Sequence, residues 1–375
     1  MAITDWEKPQ NRRWQYEFQL LPHANVFSIL TGSSYTTLDD VDISSVSISE
    51  SYYTDTRIQA KLSYLGRRAT REGFVRIIIK DANSDYVETL GTFIPTSDDV
   101  TFENGVEKTT LNLESMLYGL STQILSEPWV SKTGDYAYTN IVNALAVCGI
   151  GSDGLDMNYN KHGEYVEPHD VRFSKSAICD VGKSYLELIY GICNASSNRL
   201  DVNGEGVILI NGYTAPANRN TTFTISINTP DSVVHDGYTR SSNYLELPNE
   251  CTVYVKDGEN TITGRARSTG YALKGYIITK YKTLTEMSPW TQAKANELAR
   301  QGLQSASKET AEWQLTMEYQ PIYTGDVGYL EGLSDSDYYG KKVKVLVKNR
   351  DIDLGSMTQK LTLKRATTND SEDEE

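Results

Sequence analysis

A chain of 375 residues is too long for one ordinary core and implies two or three domains. Its 39% hydrophobic and 10% aromatic content excludes a disordered chain, and no apolar run approaches the length of a membrane span. The net charge of −14 excludes tight binding of duplex DNA by phosphate neutralisation, although an acidic wall would suit a channel through which DNA only passes.

The opening Met1-Ala-Ile-Thr-Asp-Trp-Glu-Lys-Pro9 has no signal-peptide core, so synthesis in a cytoplasm is expected. A first β block extends to Leu113. Val46 and Ile48, Ile58 to Tyr64, Phe74 to Ile79, Val100 with Phe102, and Leu111 with Leu113 form short strands between Gly, Asp, Asn and Ser turns. A helical block follows: Glu114–Leu125, Tyr138–Cys148 and Ser184–Ala195 each carry apolar residues at helical spacing. Strands then resume. Arg199–Val202 and Val207–Ile210 flank Asn203-Gly204 and predict a hairpin, because Asn-Gly takes up the positive φ of a tight turn. Phe223–Ile227 continues the sheet, and Cys251–Lys256 with Ala272–Ile278 form another pair.

The last third has the clearest pattern. Ser288 and Pro289 predict an N-cap and first-turn proline for an alanine-rich helix, Ser288–Ser307, whose small side chains favour close packing. Trp313, Leu315, Met317 and Tyr319 then alternate with polar residues, as do Val343, Val345 and Val347, and Met357, Gln359, Leu361 and Leu363. Gly325-Asp326 and Leu354-Gly355-Ser356 supply turns. The 25 tyrosines against 7 phenylalanines suit half-wet, strand-borne surfaces that bury a ring and keep a hydroxyl in water or on a partner.

The expected fold class is mainly β with inserted helices (α+β): two antiparallel β-barrel domains plus a mixed α/β insertion, discontinuous in sequence. The first barrel takes residues 1–113 and the insertion 114–198 and 245–308. The second barrel takes 199–244 and 309–366, and 367–375 form a solvated acidic tail.

Chemistry is sparse. Gly149-Ile-Gly-Ser-Asp-Gly154 matches a dinucleotide fingerprint but follows a helix rather than a strand, and reads as a helix C-cap and loop. His162, Glu164 and His169, with Asp153 or Asp156, lack helical zinc spacing and read as a polar loop. Glu127 with Asp135, or Asp335 with Asp337, are pairs any chain with 50 acids contains. No Gly-x-Ser-x-Gly elbow or phosphate loop is present. Asn194-Ala-Ser and Asn220-Thr-Thr match the glycosylation pattern by chance. Cys148, Cys179, Cys193 and Cys251 have no metal-ligand spacing and are expected as buried free thiols. No catalytic residue, cofactor or metal is expected.

The chain resembles the tail hub family of bacteriophages: baseplate hub proteins and the N-terminal structural part of siphophage tail-associated lysins and tail fibres. The resemblance spans residues 10 to 365. It rests on Asp42-Ile-Ser-Ser-Val-Ser-Ile-Ser-Glu50, on Leu90-Gly-Thr-Phe-Ile-Pro95 followed by Leu111–Leu120, and on Leu186-Glu-Leu-Ile-Tyr-Gly-Ile-Cys193 running into Leu200–Gly204 and Val207–Asn211. Pro248-Asn-Glu-Cys-Thr-Val-Tyr-Val255, Pro321-Ile-Tyr-Thr-Gly-Asp326 and Asp351-Ile-Asp-Leu-Gly-Ser-Met357 complete it. It implies a homotrimer with two similar β-barrels per subunit, forming a ring around a channel through which DNA passes. The ring would meet a distal tail protein or tail tube, and the tape measure protein, with sixfold-like symmetry, and a spike or tail fibre with threefold symmetry. The expected site of action is the tail tip or baseplate of a virion. Family members often carry a further lytic or receptor-binding part; this chain stops ten residues after Arg365, so such activity is expected on another polypeptide.

Two other readings compete. One is a tail-associated peptidoglycan hydrolase acting through the loop from His162 to His169. The other is a carbohydrate-binding adhesin using Trp129, Trp290 or Trp313. Alternation turns Trp313 inward and a helix start makes Trp290 a packing residue, leaving Trp129 as the exposed one.

Overall fold

The computed structural model describes residues 12–22, 35–66, 73–103, 105–151, 154–156, 158–169, 171–173, 176–229, 232–242, 250–257, 260–267, 279–285, 292–306 and 311–366. The N-terminal half builds β1 (Trp14–Pro22), β2 (Thr36–Thr37), β3 (Val41–Ser51), β4 (Ile58–Leu65), β5 (Gly73–Asp81), β6 (Val87–Glu103) and β7 (Val106–Ser115). A mixed segment follows, with α1 (Leu117–Thr122), β8 (Trp129–Ser131), α2 (Ala137–Val147), β9 (Leu155–Asp156), β10 (Ala177–Cys179), α3 (Tyr185–Ala195), β11 (Asn198–Val202) and β12 (Ile208–Gly212). The remainder contributes β13 (Phe223–Ser226), β14 (Val234–Ser242), β15 (Glu250–Asp257), β16 (Asn260–Arg267), β17 (Thr279–Thr285), α4 (Gln292–Ala306), β18 (Ala311–Glu318), β19 (Val327–Glu331), β20 (Val343–Asp353) and β21 (Thr358–Arg365). The chain is mainly β with few helices, as the alternation implies. No helix among the described residues is long and apolar enough to cross a membrane.

One 13-stranded sheet runs through both ends of the chain in the order β14-β18-β21-β20-β3-β4-β7-β6-β5-β1-β2, with β19 and β13 branching from β20. The branch has a local cause. A bulge between Val347 and Asn349 re-aims β20, so that Val343–Leu346 pair with β19 while Asn349–Asp353 pair with β3. The two β-halves are therefore stitched edge to edge along β20 and β3, and the sheet they share is open among the described residues.

α3 shows how local sequence sets an element. Ser184 Oγ accepts from the Glu187 amide at 3.1 Å while the Glu187 carboxylate accepts from the Ser184 amide at 2.8 Å. This reciprocal cap is worth about 1 kcal/mol. Leu186, Ile189 and Ile192 then bury one stripe. The expected hairpin forms as Asn198–Val202 against Ile208–Gly212, but the positive φ of its turn falls at Gly206 (+83°) rather than at Asn203-Gly204, and β12 adds β9 in parallel. Its residues Leu200, Val202, Ile208 and Ile210 share one core with α1–α3 and with the N-terminal sheet. A second core lies among β13, β18, β20 and β21, around Trp313.

Several expectations shift. The helix expected over Glu114–Leu125 shrinks to Leu117–Thr122, because Glu114 and Ser115 stay paired in β7. Val100 and Phe102 lie on a strand as expected, but on the long β6–β7 hairpin, where Phe102 is 74% exposed. The Val343 to Val347 strand runs on without a break to Asp353 as β20, and β21 starts after the Leu354–Met357 turn. Ala272–Ile278 lies outside the described residues, as do Ser288, Pro289, Trp290 and the acidic tail; among the described residues β15 pairs with β16 and β17. All four cysteines are free thiols, Cys193 and Cys251 buried, Cys148 and Cys179 half-buried.

The alanine-rich helix packs closely, as its small residues imply. Ala295 and Ala299 are fully buried, and a Cβ built on Gly264 of β16 would sit 2.1 Å from the Ala295 carbonyl oxygen. Gly264→Ala is expected to push α4 outward at a cost of about 1–3 kcal/mol. Amide exchange should quicken across Gln292–Ala306 and stay unchanged in β20 and β21; unaltered exchange in α4 would refute the close approach.

Candidate functional site at the seam of the two β-halves

One face of the joined sheet is polar across the seven strands around the seam. Strand register aligns His235, Thr316, Lys360, Asp351, Ser49, Gln59 and Glu114 in one row across seven strands. A second row holds Glu318, Thr358, Asp353, Ser47, Lys61, Asn112 and Ser97. Each of these side chains is exposed or half-buried, and the rows cross the seam without interruption. Shallow grooves mark this face, one lined by Ser44, Asp351, Asp353 and Lys360, the other by Ser49, Gln59, Lys61 and Glu114. Apolar residues alternate onto the opposite face, where Met317, Gln359, Ile352, Ile48, Ala60 and Leu113 form a buried row.

The buried face carries an ion pair at the seam itself. Arg350 of β20 and Glu50 of β3 are direct cross-strand partners, with Arg350 Nη1 3.3 Å from Glu50 Oε1. Their side chains are 1% and 3% exposed. Arg350 Nε also donates to Gln359 Oε1 at 3.0 Å and Nη2 to the Gln320 carbonyl at 3.4 Å, while the rings of Tyr319 and Tyr323 each lie 5.1 Å from the guanidinium. Burial works against the charge on Arg350, but Tyr319, Glu50 and Glu88 outweigh it, so its pKa is raised and it stays protonated.

The Tyr319–Asp326 turn organises the seam from the C-terminal side. Tyr319 and Tyr323 hydroxyls donate to the two Glu88 carboxylate oxygens at 2.6 and 2.7 Å, and Tyr86 donates to Glu88 as well. Burial first, and then the Glu88 charge, push Tyr319 and Tyr323 well above the usual phenol range. Thr324 Oγ1 donates to Glu50 at 3.3 Å. Gly325 has φ +89°, and a Cβ there would meet Arg199 Nη1 at 2.6 Å, so this turn position requires glycine.

Tyr52, fully buried, is where three segments of the chain meet. Arg199 of β11 lies 3.7 Å from its ring centroid, Arg57 5.9 Å and Arg219 5.8 Å, and Arg219 donates to its hydroxyl at 2.9 Å. Lys161, 8% exposed, reaches in from the mixed segment to Asp201 at 3.1 Å and Glu50 at 3.8 Å. Burial pushes the Asp201 carboxyl up, but Lys161, Arg199 and Arg57 together hold it below the usual carboxylate range. The arrangement fixes the strands together; it presents no nucleophile beside a base.

The sequence candidates scatter. His162 bonds Asp326 at 2.8 Å in the seam, whereas His169 Nδ1 bonds the Ser197 carbonyl at 3.0 Å, so the two histidines do not converge. Among the described residues no group of His, Cys, Asp and Glu could hold a metal ion. Gly149, at φ +81°, caps α2, its amide donating to the Ala146 carbonyl at 3.0 Å. Asp335 and Asp337 both receive Arg240 Nη1, at 2.5 and 3.0 Å. Asp135 accepts from the Lys132 amide at 2.8 Å, which makes it a turn residue. Trp129 is half-buried rather than exposed, donating to Asn140 Oδ1 at 3.1 Å and lying edge-on to Tyr185. Sequence reasoning missed Glu50 and Arg350. Their signal was phase: Glu50 falls in step with Val46 and Ile48, and Arg350 with Ile352 and Leu354, so each charge occupies an inward position.

No protein-family model matches the chain, and neither does any curated protein sequence. Solved structures do. A tail protein from Neisseria meningitidis MC58 superposes with TM-score 0.63 at 9% identity, covering 93% of this chain and 96% of that one. The 43 kDa tail protein of prophage MuSo2 from Shewanella oneidensis gives 0.59 at 9% identity over 94% and 98% of the two chains. Prophage tail protein gp18 from Listeria monocytogenes EGD-e gives 0.54 at 10% identity over 93% and 94%. Across nearly its whole length, the chain has the fold of phage tail proteins.

Proposed function

We propose that the protein is a structural hub of a phage tail tip or baseplate, located in the virion, and that it carries no chemistry of its own. The observation that carries this reading is the polar face, whose register runs unbroken through both β-halves. A face built from Ser, Thr, Asn, Gln and mixed charges over seven strands suits a water-filled wall better than a packed interface, where charged residues are depleted at the core. Three copies arranged around an axis, each presenting two barrel-like β modules, would form a ring with this face towards the channel and sixfold-like symmetry at its rim. In this reading residues 1–113 form one module and 199–244 with 309–366 the other, with 114–198 and 245–308 as the insertion. The distal tail protein or tail tube and the tape measure protein lie on one side of the ring, a spike or fibre on the other, and DNA passes through without sequence-specific contact. Among the described residues the sheet is open, and its end strands β14 and β2 offer each module an edge that a neighbouring copy can complete.

Light scattering across a concentration series tests this. A mass near three times the 41.9 kDa chain, and a threefold ring with a central channel in electron images, are the expected results. A chain that stays monomeric both alone and with purified distal tail or tube protein would overturn the ring. The hydrolase and adhesin readings have no specific observation in their favour: His162 is engaged by Asp326, and Trp313 is fully buried.

A further inference from the structure

The loop from Asn158 to Val166 is built as a self-contained unit. The Asn160 amide donates to the Glu164 carbonyl at 2.9 Å and the Val166 amide to the Asn158 carbonyl at 2.7 Å. Asn160 Oδ1 accepts from the amides of His162 and Glu164 at 2.9 and 3.0 Å. Tyr159 and Tyr165 close its base edge to face, with centroids 6.1 Å apart, and both remain well exposed. From this exposed loop two adjacent basic side chains enter the seam. Lys161 meets Asp201, Glu50 and Thr324 Oγ1, the last at 3.3 Å. His162 Nε2 meets Asp326 Oδ1 at 2.8 Å, and its ring lies edge-on to Tyr323 at 4.9 Å.

These contacts tie three parts of the chain. Glu50 belongs to the N-terminal half, Asp201 to the hairpin on the helical segment, and Thr324 and Asp326 to the C-terminal half. Lys161 Nζ lies against two carboxylates, and beside it stands the imidazole of His162, the side-chain type whose charge changes near neutral pH. We propose that the Asn160–Glu164 loop is a pH-sensitive strap across the seam, fastened while His162 carries its proton and loosened when that proton leaves.

The groups facing the imidazole are Asp326 and Tyr323 from the C-terminal turn, Glu88 from β6, and Glu164 and Lys161 from its own loop. Burial pulls the His162 pKa down, but the hydrogen bond and charge of Asp326, with Glu164 and Glu88, more than restore it, and the net direction is upward from 6.5. A folded-state value above the unfolded one means that the stabilisation is fully present below 6.5 and is lost as the pH rises through the raised value. Tyr319 and Tyr323 keep their protons over that range, because burial and Glu88 raise them. Losing the charge converts a charge-assisted bond into a neutral one, a weakening of about five- to tenfold in the closing equilibrium.

Hydrogen exchange on the full chain reads this directly. Protection factors for the Asn160, Gly163, Glu164 and Val166 amides, corrected for intrinsic rates, should fall about five- to tenfold between roughly pH 6 and pH 9. Those of α3 should not change. In His162→Gln the loop should start at the weaker level and show no pH dependence; Asp326→Asn, which keeps the imidazole and the charges of Glu164 and Glu88 but removes the carboxylate bonded to it, should show a smaller fall than the wild type. A flat wild-type profile, or an equal fall in His162→Gln, would overturn the strap. The imidazole resonances of the wild-type protein supply an independent reading: an NMR titration midpoint for His162 at or below that of an unstructured histidine also overturns it.

Discussion

Arg350→Met is expected to lower the free energy of unfolding by about 3–5 kcal/mol, the loss typical when one partner of a buried ion pair is removed. The side chain is 1% exposed, and its removal leaves the Glu50 carboxylate, 3% exposed, without its cross-strand partner. Lys161 at 3.8 Å and Thr324 at 3.3 Å remain near Glu50, which keeps the loss within that range rather than above it. Gln359 Oε1 and the Gln320 carbonyl lose a donor in the same step. Adding Glu50→Gln to the methionine variant removes the stranded charge and should recover part of the loss, so the double-mutant cycle should be strongly non-additive. Urea unfolding of the two single variants and the double variant measures it. A loss below about 1 kcal/mol for Arg350→Met, the scale of a surface pair, would mean that the two β-halves are held by strand pairing and apolar contact alone.

Trp313→Ala should cost about 3–5 kcal/mol as well, by a different route: loss of transfer energy plus the cavity left in the second core. Trp313 is fully buried, edge-on to Tyr338 at 5.2 Å, among Leu315, Val345, Val347 and Leu363. Its indole nitrogen has no hydrogen-bond partner among the described residues. Trp313→Phe should therefore cost much less than Trp313→Ala, since phenylalanine keeps most of the ring and drops an unpaired buried donor. Chemical unfolding of the two variants side by side gives the comparison. Equal losses would show that the N–H has an acceptor after all, and a negligible loss in Trp313→Ala would show the ring to be outside the core.

Much of the local structure could be read from residues. The helical spacing of Leu186, Ile189, Tyr190 and Cys193 announced α3, the apolar runs on either side of Asn203-Gly204 announced the hairpin, and the period-two alternation of Trp313 to Tyr319 announced β18 and which of its faces is buried. Other elements left weak signals. Val234–Ser242 is mostly polar, with a register shift between His235 and Tyr238, so alternation breaks where the strand does. Val327–Glu331 is five residues with a glycine inside, too short for a period to emerge. The candidate site was the least legible part. Pro321–Asp326 stood out as a motif, but nothing near it in the chain indicated that Tyr323 would reach Glu88, 235 positions away, or that Thr324 would reach Glu50.

The sequence by itself determined the class of the molecule: a mainly β chain with inserted helices, inward and outward faces set by alternation, and a close-packing alanine helix. These follow from interactions within a few residues, where side-chain period and backbone preference act directly. The tertiary structure alone decided that β20 changes partner at its bulge and pairs with β3, which joins both ends of the chain in one sheet and aligns the polar rows across it. It also decided that Arg350 and Glu50, 300 positions apart, are buried against each other, and that Lys161 and His162 strap the junction. Pairing between distant strands depends on the sum of register, bulge and burial over the whole sheet, and no local window contains that sum.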